Sequence, residues 1–138
     1  MNTLALLSYA LLGLIVNMSF SAGFAQADWC LAILLAALLS YRQNWLWVLP
    51  CICLHDLVLY HSIGVAFPYF IAITFIITYT DQRLGQSQHQ RWLALFVGCF
   101  PLWMAGVGIW NCVLTLTLSV MIWSFLSYRR EKAYVEPA

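Results

Sequence analysis

One acidic residue, Asp56, stands with a histidine beside it inside the apolar run Cys51-Ile52-Cys53-Leu54-His55-Asp56-Leu57-Val58-Leu59. A charged side chain near a bilayer centre costs on the order of 3 kcal/mol on insertion scales, so its retention there points to a role. Three kinds of chemistry are open to it. It can be a buried anchor hydrogen-bonded to a neighbouring helix or to another protein, a site that handles an ion or proton, or a catalytic group. The anchor or partner contact ranks first and catalysis last, because no Ser/His/Asp arrangement, phosphate loop or paired carboxylates can be assembled from the other residues. No Lys or Arg falls at the depth of Asp56, so an ion pair within the chain is not expected. That leaves a protonated carboxyl, a bond to His61 or a backbone group, or a partner from another protein.

His55 and His61 share that run, but at about 100° per residue they face about 120° apart, so one metal cannot easily take both. His89 lies in a polar stretch. Interfacial or hydrogen-bonded roles therefore suit the histidines, with His55 supporting Asp56. The five cysteines, Cys30, Cys51, Cys53, Cys99 and Cys112, all lie in apolar runs without C-x-x-C spacing, which reads as packing rather than metal or redox chemistry. No cofactor and no metal site is expected.

The elements that must position these residues follow from composition. The 138-residue chain is 64% hydrophobic and 8% charged, with six Lys/Arg and five Asp/Glu. A soluble domain carries roughly 25% charged residues to wet its surface. The expectation is an all-α integral membrane protein, in contact with lipid and not with nucleic acid. Trp29, Trp45, Trp47, Trp92 and Trp110 fall at run ends, as in an aromatic belt.

A spanning helix needs about 20 residues, with about 17 as a lower limit. Polar clusters divide the chain into runs at 4–24, 29–41, 45–60 and 65–79, followed by the polar stretch Asp81 to Arg91. The uncharged run from Trp92 to Tyr128 is too long for one helix. Gly106, Gly108 and Asn111 mark a turn that divides it into 92–107 and 111–128. Pro50 and Pro68 lie near helix starts, while Pro101 is placed to kink the fifth run. Residues 1–138 thus read as a single polytopic domain of six spans with short loops. With both termini cytoplasmic, Arg42, Arg83, Arg91, Arg129, Arg130 and Lys132 all share the cytoplasmic side. Asp28, the His61-Ser62 turn and the Gly-rich turn then face outward. The first run lacks a basic start, so the reading keeps it as a span rather than a cleaved signal at Ser21-Ala22-Gly23.

The stretch from Asp28 to Tyr79 resembles the MreD family of rod shape-determining proteins, small proteins of the bacterial inner membrane. The likeness is carried by Ala27-Asp28-Trp29 opening the second run, the aliphatic stretch Leu31 to Leu39 and the basic turn at Arg42. It continues through Asp56-Leu57 to Ile63-Gly64 at the family's offset, the polar stretch Asp81 to Arg91 and the closing Arg129-Arg130. The family's glycines before the Asp-Leu pair are Val48 and Ile52 here, and Tyr60 stands where a small residue is usual.

The resemblance implies a non-enzymatic scaffold of the cell-elongation machinery for peptidoglycan synthesis. Its direct partner would be an MreC-like bitopic protein. Through that partner it would connect to a RodA-like glycosyltransferase, its transpeptidase and MreB filaments. The family's fold is similar to the substrate-binding subunits of energy-coupling-factor transporters. The competing expectation is therefore a small-solute or vitamin-binding subunit, with an outward pocket lined by Asp56, Tyr60, His61 and Trp110. A haem- or quinone-bearing anchor fits the histidine geometry poorly.

The placement of the basic residues makes topology testable. Reporter fusions after Tyr41, after Gln86 and at the C-terminus should read cytoplasmic. Fusions near Asp28, near Ser62 and between Gly108 and Asn111 should read periplasmic. A periplasmic C-terminus would refute the six-span arrangement.

Overall fold

The computed structural model describes residues 3–20, 26–84, 88–104, 106 and 108–135, without the side chains of 84, 98, 99, 101, 102 and 130–135. Among the described residues there are six α-helices and no strands: α1 Thr3–Ser19, α2 Trp29–Ser40, α3 Trp45–Tyr60, α4 Phe67–Leu84, α5 Gln88–Met104 and α6 Ile109–Val135. A short 3-10 turn, Arg42–Asn44, joins α2 to α3. The six apolar runs each become a helix.

α2 occupies the centre. Its residues are apolar on every side, and a helix of that kind is stable only where all its faces are covered. Cys30 through Leu39 are all buried, and α1, α3, α5 and α6 all pack against α2. The ends of α2 are closely defined. Asp28 caps its start, with the carboxylate accepting the Leu31 N–H. At its far end Tyr41 turns to extended backbone and the Asn44 amide donates to the Ala37 carbonyl at 2.7 Å. Twelve residues reach about 18 Å at about 1.5 Å per residue, short of a hydrocarbon core of roughly 30 Å.

Among the described residues one helical segment, Ile109–Arg129 of α6, is long and apolar enough to cross a membrane; Thr3–Ser19 and Trp29–Ser40 are apolar but shorter. The surface is nonetheless widely apolar. Leu12 of α1, Phe75 of α4, Phe96 of α5 and Met121 and Phe125 of α6 are all exposed. Trp29, Trp45, Trp92 and Trp110 stand exposed near helix ends. Trp47 turns its indole N–H to the Asn44 side chain at 3.2 Å.

Several boundaries differ from the expected runs, each for a local reason. α1 stops at Ser19, and residues 21–25, with the cleavage-like Ser21-Ala22-Gly23, lie outside the described residues. α4 begins at Phe67 because the preceding backbone is held by Asp56, as shown below. The polar stretch 81–91 is largely helical: α4 runs to Leu84 and α5 starts at Gln88. Asp81 and Arg91 face each other across this join at 2.7 Å, with both side chains nearly buried. α5 continues through Pro101, whose side chain lies outside the described residues. Pro50 lies inside α3. At the α5–α6 turn Gly106 adopts φ 78°, a left-handed conformation that suits glycine. The Gly108 carbonyl accepts from the Asn111 and Cys112 N–H groups, so Asn111 lies within the first turn of α6 and is not its cap.

At Gly13 the backbones of α1 and α2 lie close together. A Cβ there would fall 2.9 Å from the Cys30 backbone nitrogen and 3.1 Å from the Trp29 carbonyl carbon. Backbone cannot yield as a flexible side chain can. Gly13→Ala should therefore cost about 1–3 kcal/mol, the usual range for overpacking. Gly108→Ala, with nothing within 4 Å of the added carbon, should change little. Thermal unfolding of the purified protein in detergent distinguishes the two.

Candidate functional site

Asp56 and its neighbour His55 are both fully buried. They lie near the end of α3, and the chain then turns through 61–66 before α4 begins. The first N–H groups of any helix have no intrahelical partner, and inside apolar surroundings no water answers them. In α4 that role falls to Asp56. Its Oδ2 accepts from the N–H groups of Val65 at 3.1 Å, Ala66 at 2.8 Å and Phe67 at 2.9 Å. The Ala66 carbonyl accepts the first α4 bond, from Phe70. A carboxylate from α3 thus closes the start of α4, where the helix dipole favours negative charge.

The other oxygen of Asp56 faces His55. Nδ1 of His55 lies 3.3 Å from Asp56 Oδ1, a long contact, and Nε2 lies 2.8 Å from Oδ2 of Asp28. The two carboxylates that seemed unrelated along the chain thus flank one imidazole. Two such hydrogen bonds need two protons, on the ring or with one on a carboxyl. Either distribution leaves the trio with about one net negative charge, and the N-terminal ends of α2 and α4 each present roughly half a positive charge to it. This balance explains how the carboxylates are held among apolar helices without a Lys or Arg. The Tyr60 ring packs edge-on against His55, with centroids 6.0 Å apart.

Asp28 extends the cluster to two more helices. Besides capping α2, its Oδ1 accepts from the Asn17 amide of α1 at 2.6 Å, and the Asn17 carbonyl oxygen accepts from the Trp29 N–H at 3.1 Å. The Asp28 N–H donates to the Thr115 hydroxyl of α6 at 2.8 Å, and the Gln26 N–H donates to the Asn111 side chain at 2.9 Å. One turn further along α6, Ser119 donates to the Ala32 carbonyl of α2 at 3.2 Å. α1, α2, α3, α4 and α6 are therefore tied together at one end of the bundle.

The expected site residues divide accordingly. Asp56, His55 and Asp28 converge. Of the partners left open for Asp56, the backbone N–H groups of residues 65–67 serve and His61 does not: His61 is exposed and closes α3 with φ 52°. Gly64 lies in the turn with only the Ser62 hydroxyl near, at 3.6 Å from where a Cβ would stand. Of the residues expected to line an outward pocket, Asp56 is fully buried while His61 and Trp110 lie exposed.

Arg42, Arg83 and Arg129 are exposed; Arg83 lies over the Tyr79 ring and Arg129 over the Phe125 ring. Arg91 instead is buried against Asp81. The side chains of Arg130, Lys132 and Cys99 lie outside the described residues. Cys30, Cys51 and Cys53 carry free thiols.

The sequence reading did not single out Asn17 and Thr115. A signal for the α6 residues existed: Asn111, Thr115 and Ser119 recur every four positions and so share one helical face. Asn17 had no such pattern. Compared with protein-family models, curated proteins and solved structures, the chain finds no match.

The clasp makes a specific demand of Asp56. Asp56→Asn keeps an oxygen for the three N–H groups and loses the charge, and should cost about 1–2 kcal/mol. Asp56→Leu leaves buried donors without acceptors and should cost about 3–5 kcal/mol. Unfolding in detergent measures both. Equal losses would mean that the carboxylate charge, rather than its hydrogen-bonding shape, is what the fold requires.

Proposed function

We propose that this chain is a multi-pass protein of a bacterial inner membrane, with six helices embedded and both termini cytoplasmic. In this reading it serves as a non-enzymatic scaffold of the cell-elongation machinery and binds an MreC-like bitopic partner. RodA-like glycosyltransferase, its transpeptidase and MreB filaments stand further along the same assembly.

The observation that carries this reading is the use made of Asp56. Part of the resemblance to the MreD family lies in the spacing from Asp56-Leu57 to Ile63-Gly64, and Asp56 supplies the acceptor for the N–H groups that directly follow that pair, at residues 65–67 where the next helix starts. Asp28, Asp56 and Asp81 are all engaged in holding helices together. Function then falls to the outer faces and short loops, as a scaffold requires. The apolar exterior of α1, α4, α5 and α6 supports the membrane setting. The lining expected for a small solute is divided between inside and outside, with Asp56 buried and Trp110 exposed.

Gentle purification from the native host followed by native mass spectrometry tests the proposal. The expected result is co-purification of a bitopic MreC-like protein, with rod shape restored to a deletion strain by wild type and Asp56→Asn but not by Asp56→Leu. A stoichiometric small molecule, with no such partner and no shape defect on deletion, would favour the transporter reading instead.

A further inference from the structure

On the flank where α1 and α6 both pack against α2, the surface is hollowed into an apolar groove of about 500 Å³. Gly13 of α1, Ile33 of α2 and Leu118, Ile122 and Phe125 of α6 line it, and Arg129 closes the series at one end. At Gly13 the α1 backbone lies close against Trp29 and Cys30 of α2, and no side chain enters the groove from that position. From Leu118 to Arg129 the helix rises about 16 Å at about 1.5 Å per residue, close to half of a roughly 30 Å hydrocarbon core. The groove is thus as long as one leaflet is deep.

Its polarity has one sense. The walls are largely apolar, and the cation stands toward the C-terminal end of α6. Arg129 is held over the Phe125 ring, its guanidinium carbon 4.9 Å from the centroid. Among the described residues no carboxylate pairs with it. A guanidinium in this setting matches a phosphate at the membrane surface. A whole helix does not fit inside: about 10 Å across and 16 Å long, it would fill more than about 1,000 Å³.

We propose that this groove is a binding site for one anionic phospholipid of the leaflet nearest Arg129, with an acyl chain along Ile122 and Leu118 and the headgroup phosphate on Arg129. The proposal requires only that the bundle lie in a bilayer and is independent of the scaffold reading.

Native mass spectrometry of the full chain in detergent, with phosphatidylglycerol or phosphatidylcholine of identical acyl chains added, reads the lipid retained. Wild type should hold one phosphatidylglycerol at about five-fold lower lipid concentration than phosphatidylcholine, the scale of one basic side chain at a membrane surface. Arg129→Gln should abolish that preference while still retaining either lipid. Ile122→Trp, which fills the groove, should lose both, and Leu118→Phe serves the same purpose if Ile122→Trp unfolds; thermal unfolding checks each variant. Equal retention of the two lipids by wild type would overturn the proposal. So would a preference that survives Arg129→Gln, or retention unaffected by a folded groove-filling variant.

Discussion

A helix that begins inside apolar surroundings leaves several N–H groups with nothing to bond, and the rest of this structure depends on how that deficit is met. Two carboxylates meet it. Asp28 closes the start of α2 from within its own turn, and Asp56 closes the start of α4 from the neighbouring helix. His55 lies between them and joins the two caps into one unit. Each part supports another: the helix ends make room for negative charge, and the charge completes the helix ends. Removing one partner strands the others away from water, which is why such groups behave as a unit.

The same end of the bundle decides how α2 is held. A uniformly apolar helix has no preferred face, so apolar character alone cannot orient it among apolar neighbours. Orientation comes from directional contacts: Asn17 from α1, Thr115 and Ser119 from α6, and His55 from α3. Close approach at Gly13 adds a steric point of reference. In a lipid setting, where burial of apolar surface gains little, small residues and interhelical hydrogen bonds are the expected determinants of packing. The far end of the bundle repeats the principle with different groups, since Asp81 and Arg91 pair where α4 and α5 meet.

With Asp28, Asp56 and Asp81 engaged between helices, much of the remaining surface is apolar, and Arg42, Arg83 and Arg129 stand exposed on it. The groove between α1, α2 and α6 is one place where a basic residue and the apolar surface meet, because Arg129 stands at the end of an otherwise hydrocarbon-like channel.

The sequence by itself determined the number and approximate limits of the helices, because apolar runs and polar interruptions are local properties. It singled out Asp56 for a physical reason, the cost of a carboxylate among apolar residues, and it associated His55 with it through adjacency. It did not place Asp28 beside His55, since 27 positions separate the pair and nothing in spacing reports a contact made through helix packing. It left the partner of Asp56 open among His61, a backbone group and another protein, because a helix start exposes donors that no residue identity reveals, and the structure selects the backbone. It read α2 as a span like the others, whereas only the tertiary structure decided that this short helix is the centre. Its even apolar character is compatible with lipid or with protein on every side, and only the four helices packed around it choose between them.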